Sequence, residues 1–287
     1  MDVLKIEFFI TYYLNSIIKK QSVRKERRMS LLANKNPHPR DANIHFVADS
    51  HTYTIHDQKY MSVTTWNHQH FAAFEADAII AKMRLNNPTS KYFGQTPEQI
   101  KAGWEKERDM AAEAGTRMHY EIECYYNNLS VSLPLHPSCI ELSYFQQFVE
   151  YFTQTFPHHK PYRTEWMIYH EELQMAGSID MVFENELDGS LFIYDWKRTK
   201  EIKKQCSFMN FATTECINHL PDTNYWHYAL QLNTYKAILE EKYNKKITDL
   251  VLVVLHPLQK KYQLVPVPLL TAEINDLFAL RKRMLNA

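Results

Sequence analysis

Two short segments hold the residues best placed to do chemistry, Gly177-Ser-Ile-Asp180 and Asp195-Trp-Lys197. The apolar runs 178–183 and 191–196 flank a polar stretch containing Asp188-Gly189, a strong hairpin signal. A hairpin closed tightly at that dipeptide sets Asp180 opposite Lys197. A slip of one residue in each arm sets it opposite Asp195. Residues two apart on a strand share a face, so either register gathers Asp180, Asp195 and Lys197 on one patch. Two carboxylates and an ammonium at one end of apolar strands are costly unless something uses them. A divalent cation together with a phosphate would use all three. If the preceding turn is centred near Glu172-Leu173, Glu165 falls opposite Asp180, and Glu165, Asp180 and Asp195 form a row across three strands. Such oxygen donors suit Mg²⁺ or Mn²⁺ better than zinc. A plain strand-end surface position accounts for Glu165 equally well.

Two helical patterns add weaker signals. Gly115-Thr-Arg-Met-His119-Tyr-Glu-Ile-Glu123 places His119 and Glu123 one turn apart on one helix face. Gln231-Leu-Asn-Thr-Tyr235 repeats that spacing within an aromatic-rich stretch that core packing alone would explain. Directly after Lys197 come Arg198, Lys200, Lys203 and Lys204, where a phosphate backbone would pass, although a solvated loop has the same composition. Arg163 and Arg117 are further cationic candidates.

The elements that must position these residues follow from periodicity and turn signals. Short strands are expected at 44–47, 51–55 and 61–65, then a helix over 67–85. Thr96-Pro-Glu-Gln opens a helix with a capping-box-like start; it runs to about 114, where Gly115 interrupts or ends it before 116–127 continues. A further amphipathic helix spans 136–156. Three strands follow at about 162–170, 174–184 and 191–197, then a polar, mobile segment at 199–222 and a helix over 224–243. Strands at 250–255 and near 262–267 and a C-terminal helix finish the chain. This order predicts a mixed α/β (α+β) fold, a central mixed sheet with helices on both faces.

Composition sets outer limits. The 287 residues suffice for one large domain, and 33 Lys+Arg against 33 Asp+Glu announce no global basic field. Cys124, Cys139, Cys206 and Cys216 show no CxxC spacing, which argues against structural zinc or a disulfide framework and for a reducing, intracellular setting. The apolar run 3–18 is interrupted by Lys5, Glu7 and Asn15, too polar for a membrane span, and its basic cluster comes after it, the reverse of a signal peptide. Residues 1–42 therefore read as an extension, helical or disordered, ahead of a single domain at 43–287.

Taken together, the motifs resemble the PD-(D/E)xK nuclease superfamily, and within it the RecB-like exonuclease branch that includes the mitochondrial genome maintenance exonuclease and nucleases of large DNA viruses and phages. The resemblance covers roughly 110–256. It rests on a helical Gly-Thr-x-x-His-x-x-Ile-Glu, then Gly-x-Ile-Asp, Asp-x-Lys and Gln-x-x-x-Tyr, in that order; the strands near 52–65 look like the N-terminal hairpin of viral and phage relatives. It implies a restriction-endonuclease-like core, with Asp180, Asp195 and Lys197 catalytic. It implies Mg²⁺ or Mn²⁺ held by His119, Asp180 and Asp195, with Glu165 and the Trp196 carbonyl as further ligands. Gln231 and Tyr235 would brace the site and, with Arg198, Lys200, Arg163 and Arg117, meet the nucleic acid. The implied activity is hydrolysis of DNA as an exonuclease on single strands or free ends, in replication, repair or recombination, by a monomer independent of membranes. A structure-specific or restriction-type endonuclease and a catalytically silent DNA-binding subunit are the alternatives. Iron–sulfur members of the branch carry three cysteines beyond the Gln-x-x-x-Tyr helix; none lies there in this chain, so no cluster is expected.

Overall fold

A computed structural model describes residues 31–47, 50–83, 85, 87–129, 139–206 and 210–287. In chain order the elements are α1 (Leu31–Lys35), β1 (Ile44–Val47), β2 (Thr52–Ile55), β3 (Gln58–Ser62), α2 (Val63–His68), α3 (Ala76–Ala81), α4 (Pro97–Tyr126), α5 (Ile140–Thr155), β4 (His159–His170), β5 (Met175–Asn185), β6 (Leu191–Lys197), α6 (Asn224–Tyr243), β7 (Ile247–Val254), β8 (Gln263–Pro266) and α7 (Thr271–Leu285). They form the mixed sheet with helices on both faces that the sequence predicts.

Strand β5 organises the sheet. Along one edge it pairs antiparallel with β4, from His159↔Asn185 to His170↔Met175. Along the other it pairs with two different strands: β3 in parallel at Met175 and Ala176, and β6 antiparallel at Met181 to Glu184. Residues 177–180 lie in the fork between them, with no ladder partner on that side. Strand β6 continues into a parallel pair with β7, and β8 closes that edge. The parallel pair requires a long crossover, and α6 supplies it. At the other end β1, β2 and β3 make an antiparallel meander; His56 and Asp57, both at positive φ, form the tight β2–β3 turn.

The strands alternate as a sheet buried on both faces must. From β6, Leu191 and Ile193 enter a core under α6 and α7 with Trp166 and Leu252, while Phe192, Tyr194 and Trp196 enter a second core under α4 and α5 with Phe148. In β5 the alternation breaks at Asp180: Ile179 and Val182 share the first core, Met181 and Phe183 the second. The break lies beside Glu165 of β4, whose backbone is left-handed at φ 45.

Several local expectations are corrected. The third strand stops at Ser62 because the Ser62 hydroxyl accepts the Thr65 N–H at 3.0 Å and caps α2 instead. The helix expected over 67–85 is two short helices, α2 and α3, since Thr213 takes the His70 carbonyl with both its N–H and its hydroxyl. Gly115 does not break α4, whose thirty residues start at a capping box between Thr96 and Gln99. A glycine inside a helix costs only about 1 kcal/mol, which the packing of the following turns offsets. The segment 199–222, expected to be mobile, is tied down where it is described: Ala212, Ile217 and Leu220 join the core, and Asn224 bonds the Lys203 N–H and the Glu201 carbonyl.

Residues 31–42, assigned by sequence to the extension, pack on β4: Leu32 is buried, its N–H bonds Asn127 Oδ1, and Asn36 bonds the Tyr162 carbonyl. The rest of that extension lies outside the described residues. Among the described residues no helix is long and apolar enough to cross a membrane.

Candidate metal centre

The register of the central hairpin decides which side chains meet. Its loop spans the five residues 186–190, with Gly189 at φ 69 donating to the Asn185 carbonyl at 2.8 Å and Asp188 bonding both the N–H and the hydroxyl of Ser190. The resulting pairs, Met181↔Tyr194 to Glu184↔Leu191, carry Asp180 toward Asp195, the second of the two registers open from sequence. Beyond Met181 the ladder opens, and the Asp180 carboxylate takes over as acceptor: Oδ2 receives the Trp196 N–H at 2.9 Å. An acid that replaces a ladder carbonyl is held firmly and still faces the fork.

Helix α4 brings His119 to the same place. Its Nδ1 lies 3.5 Å from Asp180 Oδ2 and 3.9 Å from Glu165 Oε1, while Nε2 is 2.9 Å from the Trp196 carbonyl. A carbonyl can only accept, so Nε2 carries a proton in either charge state, and Nδ1 faces the carboxylates, where it would offer a lone pair once a metal ion replaced its proton. Donor atoms of His119, Glu165 and Asp180 all lie within 4.8 Å of one another. One nitrogen and two carboxylates in that space fit a hard or borderline divalent ion. The Trp196 carbonyl, expected as a further ligand, is engaged by His119.

Glu165 joins this set through unusual backbone. The β4–β5 register brackets it between Thr164↔Met181 and Trp166↔Ile179, so it lies across from Asp180 as the sequence spacing predicts. Left-handed φ for a residue with a Cβ costs on the order of 1 kcal/mol or more and re-aims the side chain. The Ser178 hydroxyl holds the turned carboxylate at 3.0 Å.

Asp195 faces Lys197 rather than the His119 set. Its buried Oδ2 lies 2.7 Å from Lys197 Nζ and has no hydrogen bond of good geometry, so it remains able to accept another partner. Lys197 also donates to Gln231 Oε1 at 3.2 Å, and Gln231 Nε2 donates to the Tyr235 hydroxyl at 3.1 Å. The ring of Tyr228 lies 4.5 Å from Lys197 Nζ. Tyr235 in turn packs against Gly177, where a Cβ would come within 2.7 Å of its ring. Gln231 and Tyr235 therefore form a hydrogen-bonded chain that ends on the lysine.

The charges are strongly coupled. Burial pulls the His119 imidazole down, but Asp180, Glu165 and Asp195 outweigh it and push it up to about 9. Burial lifts the Asp180 carboxyl well above the usual carboxylate range; the His119 cation opposes this, and Asp195 and Glu165 add to it. Burial lowers Lys197, but Asp195 and Asp180 more than compensate and hold the ammonium charged. A second cation placed among these acids would relieve the repulsion that raises Asp180.

Three contributors escaped the sequence reading. Ser178 lies within a quoted motif and Tyr228 in the aromatic-rich stretch ahead of Gln231, but neither matches a functional pattern. Tyr53 of β2 is buried, and burial followed by the charges of Glu165 and Asp180 raises its phenol, so the N-terminal meander reaches the site.

The expected backbone-contacting cations separate. Arg163 is 5% exposed and holds the N-terminal segment, bonding Asp41 Oδ2 and the Asn36 carbonyl, each at 2.8 Å. It is a structural strut and is withdrawn as a nucleic-acid contact, because both its charge and its exposure are used up. Arg198 pairs with Glu141 at the start of α5 at 2.7 Å. Arg117 pairs with Glu121 but stays half exposed on α4, and Lys200 is exposed three residues beyond Lys197.

No protein-family model and no curated protein matches the chain. Among solved structures it is similar to a presumed exonuclease from Eubacterium rectale, at 12% identity over 79% of each chain with a TM-score of 0.40. It is also similar to the protein SSO0001, at 19% identity over 58% of this chain and 70% of that one with a TM-score of 0.25. Likeness this distant carries no chemistry, and the roles of His119, Glu165, Asp180, Asp195 and Lys197 are argued from their own geometry.

Proposed function

We propose that this chain is a metal-dependent nuclease that hydrolyses phosphodiester bonds of DNA, an exonuclease acting on single strands or free ends. The observation that carries the reading is the convergence of His119, Glu165 and Asp180 beside the Asp195–Lys197 pair, at a fork where the sheet leaves its edge open. Mg²⁺ or Mn²⁺ would be held by His119 Nδ1, Glu165 and Asp180, with Asp195 the remaining acidic ligand. Such an ion polarises a phosphoryl oxygen and lowers the pKa of a bound water. The chain's own residues do the rest. Trp196 orients His119 and Asp180 together through its carbonyl and its N–H. Gln231 and Tyr228 aim the Lys197 ammonium, which orients the attacking water and stabilises charge growing on the phosphate. The intact Asp180, Asp195 and Lys197 set supports an enzyme over a silent DNA-binding subunit.

Labelled linear oligonucleotide incubated with Mg²⁺ or Mn²⁺ should be degraded, and EDTA should stop the reaction. Asp180→Ala and Asp195→Ala should abolish cleavage while binding in Ca²⁺ survives, and Lys197→Ala should be severely impaired. Near wild-type cleavage by either aspartate variant overturns the site. End dependence is read from the same sequence circularised: a circle cut as fast as the linear strand replaces the exonuclease with an endonuclease.

A further inference from the structure

Outside the proposed metal set, the first turns of α6 carry a second group of titratable side chains. His227 Nε2 lies 2.8 Å from Asp222 Oδ1. Its ring stacks on Phe71 at 3.9 Å between centroids, with 25° between planes, and the His68 ring is 5.4 Å away. The imidazole is thus held on one face and at one nitrogen. Its side chain is 22% exposed, and Nδ1 has no hydrogen-bond partner among the described residues. Nothing in the packing requires a histidine here, since the stack needs only a ring.

Position supplies the reason. His227 lies four residues before Gln231, so the two side chains share a face of α6, about 6 Å apart along the axis. Gln231 holds Lys197, and Tyr228, next to His227, underlies the same ammonium. The basic segment after Lys197 is fastened to this turn: Asn224 bonds the Lys203 N–H and the Glu201 carbonyl, Trp226 bonds the Lys204 carbonyl, and Lys204 Nζ sits over the Tyr225 ring. Lys203 is paired with Glu201 at 2.8 Å, which leaves Lys204 as the cation beside this face; a helix face leading from Lys197 past it matches the path of a nucleic-acid backbone.

We propose that His227, oriented by Asp222 and by its stack on Phe71, is a positioning residue that as an imidazolium, its second charge-bearing N–H left free by Asp222, donates from Nδ1 to a backbone phosphate oxygen of the nucleotide adjoining the scissile bond. This rests on the nuclease reading above. The Asp222 carboxylate does for this ring what a carboxylate does for any imidazole it anchors: it fixes the ring's orientation and leaves the far nitrogen for a ligand.

Two substrates separate the roles. A single-stranded oligonucleotide needs both the reacting site and the adjoining contact; bis(p-nitrophenyl) phosphate, a small diester with no neighbouring nucleotide, needs the reacting site alone. His227→Phe keeps the ring stack and removes the nitrogen, and His227→Ala removes both. Each should raise KM for the oligonucleotide about tenfold with kcat within about threefold, the loss of one hydrogen bond to a charged group. Kd for the oligonucleotide in EDTA should rise by a similar factor, and hydrolysis of the small diester should stay unchanged. Asp222→Asn should show a smaller shift of the same kind. An unchanged KM and Kd in His227→Phe overturns the proposal, as does an equal loss on both substrates, which would make His227 a support of the reacting site. Wild-type protein inactive on both substrates would instead remove the nuclease reading itself.

Discussion

Replacing Gly177 by alanine tests the brace beneath Lys197 from its far end. A Cβ there would meet Tyr235 Cε1 at 2.7 Å, the hydroxyl at 3.1 Å and Cζ at 3.3 Å. Ordinary carbon contacts begin near 3.5 Å, so the ring must retreat by roughly 1 Å. Tyr235 is buried on α6 and cannot swing into solvent. Overpacking of this kind costs about 1–3 kcal/mol, a fall in Tm of roughly 2–5 °C for a chain of this size. The displaced hydroxyl also leaves Gln231, and Gln231 holds Lys197. Misplacement by about 1 Å at a reacting group costs up to ~100-fold in rate, so activity should fall further than stability does. Thermal unfolding and oligonucleotide cleavage of Gly177→Ala, Tyr235→Leu and the double variant measure this. Leucine lacks the atoms that clash, so the double variant should be more stable than the sum of the two losses by about 1 kcal/mol or more. Wild-type Tm and full activity in Gly177→Ala, or strict additivity in the double variant, refutes the reasoning.

Glu165→Asn should leave Tm unchanged or raise it slightly, because asparagine tolerates left-handed backbone, while metal affinity by titration calorimetry and cleavage both drop; a large loss of stability would show that the carboxylate serves the fold instead. Burial lowers His70 from 6.5 to about 4, so the unfolded chain takes up a proton there that the folded chain refuses; this stability is complete above pH 6.5 and is lost as pH falls toward 4, on the order of 3 kcal/mol. Denaturation midpoints of His70→Gln should therefore fall less between pH 7 and 4 than those of wild type, and parallel curves would exclude His70 as the source. Serine at all four cysteines should leave cleavage largely intact apart from a packing loss at buried Cys124; visible absorption that disappears together with activity would contradict the expectation of no iron–sulfur cluster.

The acidic patch was legible because its signals are local. Strand alternation and the Asp188-Gly189 turn place Asp180, Asp195 and Lys197 on one patch whichever register forms, and the i, i+4 spacing of Gln231 and Tyr235 holds in any helix. The choice between registers was not legible, since a turn dipeptide fits loops of more than one length. Gly115 misled for a related reason: its propensity cost is local, while the packing that carries α4 through it is not.

By itself, the sequence determined the order of the elements, the mixed sheet with helices on both faces, and the residue types gathered at one end of the central strands, all consequences of periodicity and turn chemistry over a few residues. Only the tertiary structure decided which of those residues meet. It left β5 without a ladder partner on one edge over 177–180, because β3 and β6 share that edge while β4 pairs along the other. It turned Glu165 toward His119 through a left-handed backbone fastened by Ser178, and it aimed Asp195 at Lys197. It also withdrew Arg163 by burying it against Asp41, 122 residues away in the chain. Those outcomes depend on contacts between distant segments, and no short-range pattern encodes them.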